Sequence, residues 1–309
     1  MKKIVALLLT FITVLSLVAC GSDTTVVEKE IVKEEQSVET EQQFDEITDV
    51  KEQEDNKENV PVIPTIEETV ILEYEGVTVT AKEYTAESIW GDGIKLLVEN
   101  NGDKTVGVSC ENVIVNDYML SDFFSTTVAA GKKDNETLYL SSNELEAAGI
   151  TNIGKVEVQL YLFNSDSYNT IYTGDLVEIQ TSEYENMDVT ADNVGAELYN
   201  ENGVRIVGKY VDEDSFWGAA VILYIENNTG RDITVSCEDL SVNGFMVDSW
   251  FGCDVVAGKK AVDDITLTSS TMEENDITSI DDIEVVFTAY DSNTYSTIFK
   301  SDPITFSVK

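Results

Sequence analysis

Apolar and polar residues alternate through most of the chain beyond residue 69, which is the spacing of strands with one buried face. Glycine, asparagine and aspartate interrupt this pattern at short intervals, and Asn243-Gly244 is typical of a tight β-hairpin turn. Asn116-Asp117 occupies the equivalent place earlier in the chain. The pattern predicts an all-β fold of antiparallel sandwiches. The clearest alternating segments are 94–98, 156–162, 221–225 and 283–289.

The alternating part of the chain occurs twice, and the offset between the copies is constant and equal to the separation of Cys110 from Cys237. Solenoid repeats have periods of roughly 20 to 50 residues, so a repeat this much longer indicates a duplicated domain. We expect one β-sandwich module at 69–182 and a second at 188–309. The recurring sequences include Trp90-Gly91 and Trp217-Gly218, Val108-Ser109-Cys110-Glu111 and Val235-Ser236-Cys237-Glu238, and Ala130-Gly131-Lys132-Lys133 and Ala257-Gly258-Lys259-Lys260.

The alternation also predicts one β-bulge in each module. The inward positions of 106–110 and of 233–237 are each followed by an inversion of the apolar pattern. A single extra residue in a strand moves every later side chain to the other face. We therefore place bulges at Glu111-Asn112 and at Glu238-Asp239.

Helical signals are confined to one short turn in each module. Ser141 with Glu144, and Ser270 with Glu273, have the spacing of a capping box. Gly149 can end the first of these turns by adopting a left-handed conformation.

The first twenty residues have the parts of a secretory signal. Met1-Lys2-Lys3 is basic, and the following segment 4–18 is almost entirely apolar. The ending Leu17-Val18-Ala19-Cys20 resembles the lipobox of bacterial lipoproteins, which implies cleavage before Cys20 and a diacylglycerol on its thiol. An uncleaved membrane anchor is the alternative, but the apolar run is shorter than the roughly 20 residues that span a bilayer. We expect a lipid-anchored protein on the extracytoplasmic face of the cell membrane.

Residues 21–68 differ from the modules in composition. They contain 16 acidic residues and 4 lysines, with few aromatic side chains. Such a segment buries too little apolar surface to offset its ordering entropy, and its charges repel one another. We expect a disordered acidic tether that acts as a spacer between the membrane and the modules.

The residue types exclude most catalytic chemistry. The chain has no histidine, which removes Ser-His and Cys-His pairs and nearly all catalytic zinc sites. No glycine-rich phosphate loop is present either. Cys110 and Cys237 occupy equivalent inward positions, and a Cys237–Cys253 disulfide is disfavoured because Cys253 falls about two positions out of register. We expect no enzyme activity, no metal and no cofactor.

Aromatic residues are the best candidates for a binding site. Trp90 and Trp217 precede equivalent strands, and core packing is favoured over stacking on a sugar or peptide. The equivalent pairs Phe123-Phe124 and Trp250-Phe251 each follow a hairpin. Adjacent residues of a strand point to opposite faces, so one aromatic of each pair is a candidate surface contact.

Other polar motifs have simpler interpretations. Segments 164–168 and 291–295 faintly resemble calcium loops, but tyrosine replaces a ligand and hairpin turns are favoured. Lys132-Lys133 and Lys259-Lys260 are expected in solvated loops. Acidic clusters such as Asp263-Asp264 are interpreted as solubility charge. The net charge of −40 argues against nucleic acid and anionic membrane surfaces as partners.

One family resemblance is carried by strands that run into an Asn-Asn turn. Leu97-Val98-Glu99-Asn100-Asn101 and its copy Tyr224-Ile225-Glu226-Asn227-Asn228 resemble the immunoglobulin-like modules of bacterial surface lipoproteins. The resemblance covers about three quarters of the chain and implies two tandem immunoglobulin-like antiparallel β-sandwich domains. It supplies no catalytic or ligand-binding residue.

The resulting hypothesis is a lipid-anchored, non-enzymatic cell-surface protein that binds an extracellular protein or glycan through its tandem modules. The first alternative is an envelope-structural or assembly partner. A transporter substrate-binding subunit would require helices that the sequence lacks. A carboxylate-based glycan hydrolase would require a fixed pair of carboxyl groups, which no motif singles out. The oligomeric state is open.

Overall fold

The structure is a computed structural model. Nearly all of the residues that it describes lie in strands and turns, with two short α-helices and one 3₁₀ turn at Tyr184–Asn186. The prediction of an all-β sandwich fold is therefore confirmed. The described residues are 29–33, 63–87, 91–121, 124–140, 142–187, 193–213, 215, 217–248 and 251–308.

The N-terminal lobe consists of two antiparallel sheets, formed by strands β2 to β10. One sheet has the order β2-β3-β4-β8, and the other joins β10, β9 and β5, with β6 and β7 both paired to β5. The elements are β1 (Lys29–Lys33), β2 (Thr69–Tyr74), β3 (Val77–Glu87), β4 (Gly91–Asn100), β5 (Val106–Val115), β6 (Tyr118–Leu120), β7 (Ser125–Val128), β8 (Lys132–Tyr139), α1 (Ser142–Ala147), β9 (Lys155–Asn164) and β10 (Thr170–Gln180).

The C-terminal lobe, formed by strands β11 to β20, repeats this arrangement. One sheet has the order β11-β12-β13-β17, and the other centres on β14 and β18. The elements are β11 (Ala196–Glu201), β12 (Val204–Asp212), β13 (Gly218–Asn227), β14 (Ile233–Val242), β15 (Phe245–Met246), β16 (Gly252–Val255), β17 (Lys260–Thr268), α2 (Ser269–Glu274), β18 (Asp282–Asp291), β19 (Thr297–Lys300) and β20 (Ile304–Val308).

The constant offset of the sequence repeat is preserved in three dimensions. β4 and β13, β5 and β14, β9 and β18, and α1 and α2 begin and end at repeat-equivalent positions. The buried apolar residues form one main cluster within 71–179 and another within 198–308 that also includes Ile31. The predicted alternation is observed, since Ile94, Leu96 and Val98 are all buried. The module boundaries at 69–182 and 188–309 stay predictions.

The predicted turns and the first bulge are found where the sequence places them. Asn116 and Asp117, with φ of 48° and 72°, and Asn243 and Gly244, with φ of 50° and 80°, have the left-handed backbone of type I′ hairpins. The register of β5 against β9 shifts between Cys110 and Asn112, which confirms a bulge at Glu111.

The second bulge and the helix caps differ in detail from the predictions. The register of β14 shifts between Glu238 and Ser241, so the irregularity extends one residue beyond the predicted pair. Gly149 has a φ of 72° just after α1, as predicted. The cap of α2 is Thr268, whose hydroxyl accepts from the Thr271 N–H, and Ser270 lies inside the helix. Threonine before the helix satisfies the same orphan donors, and Ser141 lies outside the described residues.

Strand β1 is the main departure from the expected disordered tether. It lies between β12 and β20 and runs parallel to both, so it joins the two sheets of the C-terminal lobe. Ile31 is 2% exposed and belongs to the core of that lobe. Its side chain occupies space that a Cβ atom on Gly208 would otherwise fill. The prediction of disorder is therefore wrong for 29–33. It is also wrong at the end of the segment, because Ile66 forms a β-bridge with Thr181 and packs against the core of the N-terminal lobe. The segments 21–28 and 34–62 lie outside the described residues.

The two lobes are joined through a strand pairing. β6 pairs in parallel with β17, so the hairpin of the N-terminal lobe adds to the edge of a C-terminal sheet. The Lys260 N–H donates to the Asp117 carbonyl oxygen at 2.9 Å. Buried Tyr118 and Tyr224 meet edge-on at a ring distance of 6.3 Å. Lys209 donates from the C-terminal lobe to the last carbonyl of α1, at Ala147. These contacts hold the two lobes side by side.

Within the described residues, no helix combines the length and the apolar character that crossing a membrane requires.

Candidate functional site

A polar cleft of about 660 Å³ lies where the two lobes meet. Its N-terminal wall comes from the bulge in β5, from β6 and from α1, and its C-terminal wall comes from β16, β17 and two loops. A cleft of this volume is within the range of small-molecule sites. The polar residues that line it are Glu111, Asn112, Ser121, Glu144, Gln159, Thr173, Asp232, Cys253, Asp254, Asp263, Ser292 and Asn293.

Local backbone features place these side chains. The bulge at Glu111 interrupts the alternation of β5, so that Glu111 and Asn112 both line the cleft. The Asn112 amide donates to the Gln159 side-chain oxygen at 2.7 Å, which fixes both groups. Glu144 of α1 accepts a hydrogen bond from the Ser121 N–H at 2.9 Å and so ties the helix to the end of β6. These groups are therefore held by strands β5, β6 and β9 and by helix α1.

The lining carries negative charge without a matching cation. Five carboxyl groups face the cleft, and no lysine or arginine is among its described lining residues. Such a lining favours ligands with amino or hydroxyl groups, because carboxylates accept hydrogen bonds and attract cations. In the part of the chain that the structure describes, no three cysteine, aspartate or glutamate side chains lie close enough together to hold a metal ion.

Cys253 and Asp263 form a buried contact at the back of the cleft. Burial raises the pKa of the Cys253 thiol well above its usual value, and nearby Asp263 adds to this effect. Because the thiolate is the nucleophilic form, this thiol is poorly suited to covalent catalysis. Burial likewise raises the pKa of Asp263 to about 6. The interpretation of Asp263 as solubility charge is therefore wrong, since this carboxyl faces the cleft and not open solvent.

The raised pKa of Asp263 leads to a pH-dependent prediction. Its folded-state pKa of about 6 lies above the usual 3.8, so the folded state retains a proton between these values that the unfolded state loses. Stability should therefore fall as the pH rises through this window. We expect Asp263→Asn to raise the free energy of unfolding by about 2 kcal/mol at pH 7, and by almost nothing below pH ~4. Urea denaturation at several pH values measures this difference.

Asp264→Asn is the matched control for this experiment. Asp264 is the next residue of β17, and its carboxylate accepts from the Thr266 hydroxyl. Burial is the larger cause of the raised Asp263 pKa, and the Asp264 charge adds a smaller contribution. This variant should therefore retain most of the wild-type pH dependence. A gain from Asp263→Asn that is equal at pH 4 and pH 7 would contradict the assignment.

An ion-pair network beside the cleft connects the lobes. Lys259 of the C-terminal lobe reaches Asp117 at 2.6 Å and Glu157 at 2.5 Å. Lys155 contacts the same Asp117 oxygen at 2.8 Å. Burial alone would raise the pKa of Asp117, but the two ammonium groups outweigh it and hold the pKa below its usual value. The same carboxylates raise the pKa of Lys155 above its usual value, against the opposing effect of burial.

This network corrects one prediction about the paired lysines. Lys132 and Lys133 are exposed, as expected, but they are the first residues of β8 and do not lie in a loop. The side chain of Lys259 is only 13% exposed, so the same prediction is wrong for the second copy. The reason is tertiary, because the hairpin of the N-terminal lobe covers the second loop and leaves the first one open.

The predicted aromatic candidates do not form one site. Trp217 is 69% exposed, so the favoured interpretation of core packing is wrong for this residue. Phe124 is buried, and Phe251 is half-buried against the C-terminal core. Phe124 is thus the inward member of its pair. The candidates Trp90, Phe123 and Trp250, and the proposed lipidation site Cys20, lie outside the described residues.

The cysteines and the loops with oxygen side chains agree with the favoured interpretations. No disulfide joins Cys110, Cys237 or Cys253 among the described residues, and Cys253 lies opposite Val235, two positions from Cys237. The expected burial of Cys110 and Cys237 is only partial. In the segment 164–168, the Asn164 side-chain oxygen accepts from two backbone N–H groups, which is an ordinary turn. The equivalent segment 291–295 is built in the same way by Asp291.

Sequence reasoning missed Asp117, Lys259 and the cleft itself. One signal was available, because the repeats differ where the lobes meet. Asp117 and Tyr118 of the first copy correspond to Gly244 and Phe245 of the second. The first of these hairpins docks on the other lobe, and the second pairs only with its own lobe among the described strands.

Comparisons with known proteins supply no family. No protein-family model matches the chain, and no curated protein matches it. Among solved structures, a red sea bream transglutaminase has 10% identity and a TM-score of 0.22, covering 77% of this chain and 32% of its own. The chain thus spans about a third of that enzyme's length.

Two bacterial structures have similar scores. The complex of the chaperone CsuC with the tip adhesion subunit CsuE from Acinetobacter baumannii Csu pili has 13% identity and a TM-score of 0.21, covering 70% of this chain and 92% of the other. A Porphyromonas gingivalis W83 protein of unknown function has 12% identity and a TM-score of 0.20, covering 71% and 90%. Likenesses this weak carry no functional argument.

Proposed function

We propose that the protein is a lipid-anchored, non-enzymatic cell-surface protein that binds an extracellular protein or glycan, with the cleft between the lobes as the ligand site. The observation that carries the proposal is the cleft lining, in which fixed carboxyl, amide and hydroxyl groups surround about 660 Å³ without a cation. This chemistry best suits a glycan with amino groups, because one ligand then supplies both positive charge and hydroxyl donors. A protein ligand would present lysine side chains to the same groups.

The position of β1 changes the expected role of the tether. With a lipid on Cys20, only residues 21–28 would separate the anchor from β1. An extended segment of this length reaches at most about 30 Å, so the C-terminal lobe would lie close to the membrane surface. Residues 34–68 would then connect β1 with β2 and would not serve as a spacer below both lobes.

The proposed function is tested with the chain from Gly21 to Lys309, which contains every described residue. We expect binding to amine-bearing glycans on an array, and we expect Glu111→Gln to weaken it roughly tenfold by removing one charge from the cleft. Binding titrations with the captured glycan measure the change. If the chain retains a protein from extracellular material and gives no signal on the glycan array, the ligand is a protein and not a glycan.

Glu238→Gln is the matched control, because Glu238 is the repeat equivalent of Glu111 but bonds to Lys300 away from the cleft. Equal loss of binding in both variants, or no binding to any glycan or protein, would contradict the proposal.

The alternative of an envelope-assembly partner is favoured by a different observation. Phe245 and Met246 form an exposed apolar hairpin on the C-terminal lobe, 48% and 64% exposed. Exposed apolar groups of this kind often mark protein interfaces. Co-purification of a second envelope protein that is lost on changing Phe245 to aspartate, with cleft variants unaffected, would support this alternative.

A further inference from the structure

The contact between the lobes joins a hairpin to the edge of a sheet. The hairpin, which ends in Tyr118 and Met119, is called the donor, and the edge of β17 on which it docks is called the acceptor. Lys260 lies over the Tyr118 ring at 5.4 Å, and Lys259 bonds to Glu157 beside the hairpin. Both halves come from the repeated module, so each half has a counterpart in the other lobe.

The counterpart of the donor is an exposed hairpin on the C-terminal lobe. Phe245 and Met246 are the repeat equivalents of Tyr118 and Met119. They follow the same type of turn, and β15 pairs only with β14 among the described strands. Tyr118 is 3% exposed in its docked position, whereas Phe245 is 48% exposed.

The counterpart of the acceptor is the outer edge of β8 on the N-terminal lobe. β8 pairs with β4, and no other described strand pairs with it. In the equivalent strand β17, the Lys260 N–H points away from β13 and donates to Asp117 across the interface. By the repeat relation, the N–H groups of Lys133 and Asn135 face the open edge. An open edge with alternate free N–H groups is a template for an added strand.

The charges of the two counterparts are complementary. Lys132 is the equivalent of Lys259, and it is exposed. Beside the free hairpin, Glu284 is the equivalent of Glu157, and Asp282 replaces Lys155. Both of these acidic residues are exposed. A hairpin docked on β8 would therefore bring Lys132 next to two carboxylates, as Lys259 lies next to Asp117 and Glu157.

We propose that the chain associates with further copies of itself head to tail, with the Phe245–Met246 hairpin of one copy adding to the outer edge of β8 in the next. The contact repeats the one that joins the lobes within a chain. It uses different surfaces on the two copies, so it leaves one donor and one acceptor free at the ends. Such an interface extends into an open chain of copies or closes into a ring.

The association is weaker than the contact within the chain. The apolar face that receives Tyr118 contains Val207, Tyr224 and Val262. The equivalent positions on the N-terminal lobe are Thr80, Leu97 and Asn135. Less apolar area is therefore buried. Self-association is expected at high local concentration, as for copies confined to one surface.

Sedimentation velocity of the chain from Gly21 to Lys309, over a range of concentrations, tests the proposal. We expect the weight-average mass of the wild type to rise with concentration. A donor variant, Phe245→Asp with Met246→Asp, and an acceptor variant, Asn135→Pro, are each expected to stay monomeric. Mixed in equal amounts, the two variants should form a heterodimer that grows no further, because each supplies one intact surface.

Lys132→Glu is a milder acceptor variant for the case in which Asn135→Pro does not fold. It is expected to weaken association roughly tenfold, because it places a carboxylate against Glu284. Tyr295→Asp is the control, since Tyr295 is 78% exposed on the C-terminal lobe but lies outside both surfaces. A wild-type chain that stays monomeric at every concentration, or association that survives the donor variant, would overturn the proposal.

Discussion

Replacing Ile31 with aspartate is expected to unfold the edge of the C-terminal lobe, with a loss of about 3 to 5 kcal/mol in its free energy of unfolding. Ile31 is 2% exposed and packs in the core of a lobe whose own strands begin only at Ala196. An aspartate there would place a charge among apolar side chains, and β1 would leave the groove between β12 and β20. Hydrogen–deuterium exchange should then increase in those two strands.

Two truncations separate the strand from the remainder of the N-terminal segment. A chain that begins at Lys29 retains β1 and should match the wild type in exchange and in urea denaturation. A chain that begins at Glu34 loses β1 and should resemble the Ile31→Asp variant. Equal stability of the two truncated chains would show that β1 does not support the lobe.

Replacing Asn227 with alanine is expected to lower the free energy of unfolding of the C-terminal lobe by about 2 to 4 kcal/mol. This side chain is fully buried, and its amide donates to the Arg231 and Val255 carbonyl oxygens, both at 2.8 Å. Its oxygen accepts from the Thr229 N–H at 3.0 Å. Alanine would leave these backbone groups without their partner, and buried unsatisfied groups are costly.

The repeat supplies an internal test of this prediction. Asn100 makes the same contacts in the N-terminal lobe, to the Lys104 and Val128 carbonyl oxygens at 2.8 and 2.9 Å. Asn100→Ala should therefore increase hydrogen–deuterium exchange in the N-terminal lobe, and Asn227→Ala in the C-terminal lobe. The exposed neighbours Asn101 and Asn228 are controls, and their alanine variants should change stability by less than about 0.5 kcal/mol. A loss as large in the controls would contradict the role of the buried asparagines.

The Asn-Asn motif was only partly predictable from the sequence. The sequence predicted that it ends a strand, but it did not predict that Asn100 and Asn227 are buried while their neighbours are exposed. Alternation predicted the strands, and the inverted pattern predicted the bulge at Glu111. That this bulge lines a cleft depends on the other lobe, because Asp254 and Asp263 come from β16 and β17. The sequence therefore predicted the local structure around Glu111, but it did not predict that residues of both lobes form one cleft.

The sequence by itself determined the all-β class, the duplication of the module, the type I′ turns at 116–117 and 243–244 and the first bulge. These features follow from side-chain period and local backbone preferences, which act over a few residues. Only the tertiary structure decided the position of β1, the burial of Lys259 and the cleft. Each of these depends on which sheet edge is open when distant segments meet, and the local alternation of apolar and polar residues does not reveal that choice. Two nearly identical loops can therefore differ, one covered and one exposed.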